Sequence, residues 1–264
     1  MAVPGNRQPA EPPRDLAETE LFSVDAYARS FDSAVAEIDH EQNRVALART
    51  AFYPGGGGQP PDVGTLRWDG GSATVTRVAR DGGRIWHWLD IPEIAGDVRE
   101  VYGEIDWDRR HSLMRTHTAL HILCGVIWTE FGVAVTGGNM EPGTGRLDFA
   151  LDGITTDLGK RVERRINEEI TRAREVLVDF LPRGEADLDD ALIRTRADLI
   201  SREIDPLRVI DIVGLDKQAD GGTHVVNTAE VGHVVVTGAS SKGKNNKRIR
   251  LEIADGPGGD AQPG

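Results

Sequence analysis

The chain of 264 residues carries 31 Lys and Arg against 43 Asp and Glu, a formal net charge of −12, with 39% hydrophobic residues and one cysteine. That length leaves room for two modest domains or one large one. The charge argues against coating nucleic acid through a global basic field, the lone Cys124 excludes an intramolecular disulfide and fits a reducing cytoplasm, and no run approaches the roughly 20 apolar residues of a membrane span.

Residues 1–18, rich in Pro and polar side chains, read as a disordered leader without the apolar stretch of a signal peptide. Segments 34–38, 44–47, 73–78 and 84–88 are short, β-branched or alternating, and separated by turn residues, which predicts a small β-barrel. Between them, Gly55, Gly56, Gly57 and Gly58 would weaken a regular strand and expose backbone N–H groups to a closely approaching ligand. A plain flexible turn explains the same run, which matches neither a P-loop nor a dinucleotide fingerprint. The character changes near Asp97. Asp106 as N-cap and Gly132 as terminator predict a helix over 107–131. A second helix is expected from Thr156 or Asp157 to about Val176, and a short third from Leu188 to Thr195. Strands are expected at 207–213, 232–237 and 248–253, before a disordered tail at 255–264.

On the long helix His117 and His121 stand one turn apart, so their rings can bite a single ion. His224, on a Gly-rich turn, offers a third nitrogen and Asp220 an oxygen. Three protein ligands with an open position are the usual catalytic zinc arrangement. The stripe Leu113, His117, Leu120, His121, Cys124, Ile127 and Trp128 is equally what a buried face with satisfied histidines looks like, and spacing alone leaves both readings open. Thr118 stands where a metalloprotease needs Glu. Basic runs occur at 108–115, 160–174 and 241–250. Glu163, Glu168, Glu169 and Glu175 interleave with the second, which reads as a solvated helix face. The third has no acid before Glu252 and points to phosphate contact.

Several of these motifs agree with one family. The segments 50–64 (Thr50-Ala51-Phe52-Tyr53-Pro54 and the glycines through Gly64), 105–110, 114–123, 220–225 and 242–249 resemble, in order, the freestanding alanyl-tRNA editing proteins, relatives of the editing domain of alanyl-tRNA synthetase. The resemblance spans about 30–254 and implies an α/β (α+β) architecture. A β-barrel domain at 19–97 would bear the Gly-rich motif, and an α/β core of the threonyl/alanyl editing type at 98–254 would hold the metal. The metal implied is one zinc ion, bound through an HxxxH and a later CxxxH motif; carried over, these give His117, His121 and His224, with Asp220 at the family's cysteine. Asp220 is then a fourth ligand or the residue that fixes the Gly221-Gly222 turn.

The substrate implied is serine, and secondarily glycine, esterified to the alanine tRNA in the cytoplasm, and the reaction is ester hydrolysis without ATP. Neither DNA nor membrane is an implied partner. Gln59 and the backbone of Gly55 to Gly58 would steady the substrate. Serine exceeds alanine by one oxygen, so a size filter cannot admit it alone and the pocket must reward the hydroxyl; Thr50, beside the glycines, is expected to do so. Arg109, Arg110, Lys242, Lys244, Lys247 and Arg248 are the expected tRNA contacts. Two other classes stay open: a hydrolase or acyl-transfer enzyme of this fold with another ester, and a metal-free tRNA-binding module.

Overall fold

The computed structural model describes residues 12–91, 96–151, 157–186, 192, 204–241 and 246–254. Its first half is a closed barrel of β1 (Ser30–Asp39), β2 (Arg44–Leu47), β3 (Gly64–Trp68), β4 (Gly71–Asp81), β5 (Arg84–Leu89) and β6 (Glu100–Ile105), in the order β1-β2-β5-β4-β3-β6. All neighbouring strands of the barrel pair antiparallel. Phe31, Val45, Phe52, Leu66, Val75 and Val101 fill the interior, and closure removes the unpaired edges an open sheet would expose.

The boundary expected at 97 falls too early. β6 alternates exposed and buried residues and pairs with both β1 and β3, so the barrel ends only at Ile105. The leader needs a similar correction. Arg14–Thr19 is a helical turn (α1), followed by α2 (Leu21–Val24). It is held to the barrel by Thr50 N donating to Thr19 O at 2.9 Å and Leu21 N donating to Thr50 O at 2.9 Å. Residues 1–11 and the expected tail lie outside the described residues.

The second half is an α/β core. Helix α3 (Trp107–Phe131) starts and stops where the sequence says: the Asp106 carboxylate accepts from Arg109 N at 3.1 Å, and Gly132 adopts φ 66° with its N–H bonded to Trp128 O. Around it lie β7 (Val135–Glu141), β8 (Thr144–Phe149), α4 (Leu158–Thr171), β9 (Val176–Leu181), a turn of helix α5 (Arg183–Ala186), β10 (Leu207–Ile212), β11 (Asp216–Ala219), β12 (His233–Ser241) and β13 (Lys247–Ala254). They form a three-stranded sheet, β11-β10-β9, and a four-stranded sheet, β12-β13-β8-β7. The expected second helix stops short of Val176, because Ala173 turns to φ 51° and the chain enters β9. The expected third helix, 188–195, falls outside the described residues apart from Leu192.

Burial of α3 is not confined to a stripe. Leu113, Met114, Ala119, Leu120, Ile122, Leu123, Val126 and Ile127 are all buried, so the helix runs through the centre of its own core. Among the described residues no helix is long and apolar enough to cross a membrane.

Candidate metal centre

His117 and His121 project from the middle of α3. Opposite them, the turn leaving β11 carries Asp220 and His224. One ligand atom from each of these four residues lies within 4.8 Å of the others. The imidazole centroids are 5.1 Å (His117 to His121), 4.2 Å (His117 to His224) and 4.7 Å (His121 to His224) apart. Bonds of about 2.0–2.2 Å to one ion bridge such a set, so the four donors can hold a metal.

Each imidazole is fixed from behind. His117 Nδ1 lies 3.0 Å from Gln59 Oε1, which also accepts from Thr223 N at 3.0 Å, so Nδ1 carries the proton and donates. His121 Nδ1 lies 3.1 Å from Asp216 Oδ2, and His224 Nδ1 lies 3.2 Å from the Thr118 hydroxyl. With all three Nδ1 atoms engaged, the Nε2 atoms are left for the centre, the arrangement that sets tautomer and ring orientation at metal sites. Asp220 does two jobs. Its Oδ2 accepts from Gly222 N at 2.7 Å, fixing the turn, and lies 3.1 Å from His224 Nε2, while Oδ1 is 3.7 Å from His117 Nε2. Gly222 is required there: a Cβ would lie 2.4 Å from His117 Cε1 and 2.7 Å from Gln59 Oε1.

The electrostatics suit cation binding. Burial pushes His117 down to about 4, against the pull of Asp220. Burial, joined by the His117 charge, also lowers His224 well below its ordinary value. At His121 burial opposes protonation, yet the hydrogen bond and charge of Asp216 raise it. Burial opposes ionisation of Asp220 too, but His117 and His224 overcome it and hold the carboxyl well below the usual range.

The glycine loop joins this centre from the barrel. Gly55 to Gly58 all have positive φ, 57° to 136°, a run that only glycine accommodates cheaply. The loop closes through Gln59 N donating to Gly56 O at 2.9 Å, and Met140 N donates to Gly58 O at 3.3 Å. Gly57 and Gly58 thereby line a cavity of about 170 Å³ together with His117, Leu120, His121, Cys124, Gln218 and Asp220. Gln59 sits behind it, donating from Nε2 to Thr223 Oγ1 at 2.9 Å, so it orients His117.

Other expected residues are elsewhere. Thr50 is buried in the barrel, its hydroxyl 2.9 Å from His87 Nε2 and accepting from Phe52 N at 3.1 Å; it does not line the cavity. Arg110 is fully buried and cannot meet RNA: its Nε lies 3.0 Å from both Asp62 oxygens, and its Nη2 donates to Asp62 and to Ala51 O. Lys247 is buried as well, its Nζ donating to Ser241 Oγ at 3.0 Å. Arg248 pairs with both Asp148 oxygens at 2.7 Å. Arg109 is half-buried, donates to Pro61 O at 3.4 Å and keeps its Nε buried without a hydrogen-bond partner. Lys242 and Lys244 lie outside the described residues. No sequence motif points to Asp216, Gln218 or Thr118. Along β11 burial alternates, so Asp216 and Gln218 face inward, but its residues Asp-Lys-Gln-Ala show no alternation of polarity that could have announced this.

The family described as the threonyl and alanyl tRNA synthetase second additional domain matches residues 207–250, and that of class II (A) tRNA synthetases matches 18–109. The alanyl-tRNA editing protein AlaX-M of Saccharolobus solfataricus is 39% identical over 236 residues, covering 89% of this chain and 98% of that protein. Its counterpart in Methanosarcina barkeri is 35% identical over 240 residues, with the same coverage of 89% and 98%. The alanine–tRNA ligase of Thermococcus kodakarensis is 34% identical over 227 residues, 84% of this chain but 24% of the ligase.

Proposed function

The chain belongs to the AlaX-M family of alanyl-tRNA editing proteins, and from that premise we propose that it hydrolyses the ester of serine, and secondarily of glycine, on mischarged alanine tRNA. In this reading His117, His121, His224 and Asp220 hold one zinc ion. The observation that carries it is the convergence of those four donors, each backed by its own partner, beneath a glycine loop contributed by the other half of the molecule. Bound there, zinc supplies a Lewis acid that polarises the ester or anchors the aminoacyl group.

The chain's own residues do the rest. Gln59 keeps the His117 ring in register, as Asp216 and Thr118 keep the other two. Gly57 and Gly58 bring backbone rather than side chains against the substrate. The buried residues Leu120, Met140 and Leu147 on the cavity wall exclude water around the ester. Selectivity for serine needs a polar group that its hydroxyl satisfies and alanine leaves unpaired. With Thr50 committed to His87, that role falls to the polar side chains lining the cavity, among them Gln218, which is buried and whose Nε2 donates to Asp216.

The test is ester loss from serine-charged and alanine-charged alanine tRNA, with His117→Ala as control. Selective loss of the serine ester, abolished in the variant, is the expected result. Equal stability of both esters with zinc-loaded protein would overturn the reading.

A further inference from the structure

The cavity has an uneven rim. Its exposed wall consists of Gly57 and Gly58 on one side and Thr136, Gly137, Gly138 and Asn139 of β7 on the other, whereas His117, Leu120, His121 and Gln218 are buried beneath. β7 is the edge of its sheet. A side chain built on Gly137 would project into open space, and Gly137 lacks the positive φ that would strain a substitution.

From this rim a row of residues crosses the sheet. Asn139 pairs with Arg146 on β8, Arg146 with Arg250 on β13, and Arg250 with Gly238 on β12. The neighbours of Arg250 on β13, Ile249 and Leu251, are buried, so Arg250 stands on the outer face. Asn139 and Met140 border both the metal cavity and a shallow cleft lined by Arg146, Thr237 and Arg250. Two cations opposite each other on adjacent strands repel, and little here relieves it. Arg146 reaches Asp148 at 3.5 Å, but that carboxylate already holds Arg248 at 2.7 Å. Arg250 has no carboxylate partner among the described residues and reaches the Ser240 hydroxyl at 3.4 Å. Glu141 and Glu252 also line the cleft, but in the next register row, farther along β7 from the rim. In a chain of net charge −12, the cleft thus holds as many carboxylates as guanidinium groups but presents its two cations in the row nearer the cavity.

We propose that the single-stranded 3′ end of the tRNA lies along this row, with phosphates against Arg146 and Arg250, and that its terminal nucleoside rounds the β7 edge past Gly137, beside the point where Met140 N closes on Gly58 O, to set its ester over the cluster. The identity of the ester rests on the editing reading above; the surface does not.

The full chain, zinc-loaded, is titrated with uncharged alanine tRNA over a range of salt, beside wild type, as the double variant Arg146→Gln, Arg250→Gln. The variant is expected to show a log K against log salt slope shallower by about 1.4, or roughly 0.7 for each single-strand phosphate that is no longer neutralised. A slope and affinity equal to wild type would overturn the track. Gly137→Trp tests the passage without altering charge. It should slow hydrolysis of seryl-tRNA by roughly a hundredfold relative to hydrolysis of serine methyl ester by the same variant. An unchanged ratio would overturn the passage. If wild type cleaves neither ester while the double variant still flattens the slope, the editing reading fails and the surface stands.

Discussion

Three imidazoles converge on one point, yet the groups behind them differ: an amide at His117, a carboxylate at His121 and a hydroxyl at His224. Only Asp216 brings charge, and its side chain is fully buried, accepting also from Gln218 Nε2 at 2.7 Å. A carboxylate behind a ligand imidazole increases the electron density at Nε2 and locks the ring, and loss of such a partner typically costs 10–100-fold in metal affinity. Asp216→Asn is therefore expected to weaken zinc binding by roughly 10–100-fold while leaving the fold intact, read by competition with a chromogenic chelator and by circular dichroism. Zinc affinity within about twofold of wild type would mean that Asp216 only packs. Gln59→Leu removes a neutral partner and is expected to have the smaller effect in the same titration.

Among the elements, the one that unites the molecule is the segment between β2 and β3, because it carries the glycine loop from the barrel to the histidine cluster. It is anchored by Arg110, in the first turns of α3, whose guanidinium meets Asp62, Ala51 O and Ala26 O, while Asp62 also accepts from Tyr53 N at 2.6 Å. Removing one partner of a buried pair strands the other charge, at about 3–5 kcal/mol. Arg110→Met should lower stability by that order in urea unfolding of the zinc-loaded protein, and adding Asp62→Leu should restore much of it. A loss below about 1 kcal/mol would show the pair is not the anchor. This residue also marks where sequence reading stops. Arg110 and Lys247 look like a basic surface because a sequence displays charges but not their partners, and Asp62 is far away in the chain. The long helix is legible to its caps, since Asp106 and Gly132 are local signals. Strands β1, β2, β4 and β5 are legible from alternation or β-branched residues, as are β10, β12 and β13, whereas β3, β6, β7 and β8, and with them β9 and the short β11, are not. The clustered histidines are visible as a motif; Asp216 and Thr118 are not, because a partner behind such a ring has no spacing rule of its own.

At the scale of the whole molecule, the barrel and the metal core both depend on histidines kept neutral by burial, and this links stability to pH. In the barrel interior His87 Nδ1 lies 3.1 Å from Val45 O, to which it donates, so Nε2 accepts from the Thr50 hydroxyl. Burial pushes His87 down from 6.5 to about 4, opposed by the Val45 bond. Between those values the unfolded chain binds a proton that the folded chain refuses. The stability His87 contributes is thus fully present above about pH 6.5 and is lost as pH falls to about 4, on the order of 3 kcal/mol in all. His117 and His224 act with the same sign in metal-free protein, so the contribution must be read as a difference. His87→Gln, which keeps a donor and an acceptor at the site, is expected to flatten the dependence of unfolding free energy on pH between 7 and 4 relative to wild type, with zinc absent from both. Parallel profiles would mean that His87 takes up its proton as readily in the folded chain as in the unfolded one. A flattened profile would place one acid-sensitive element in the barrel, whose loss would withdraw the glycine loop and Gln59 from the histidine cluster.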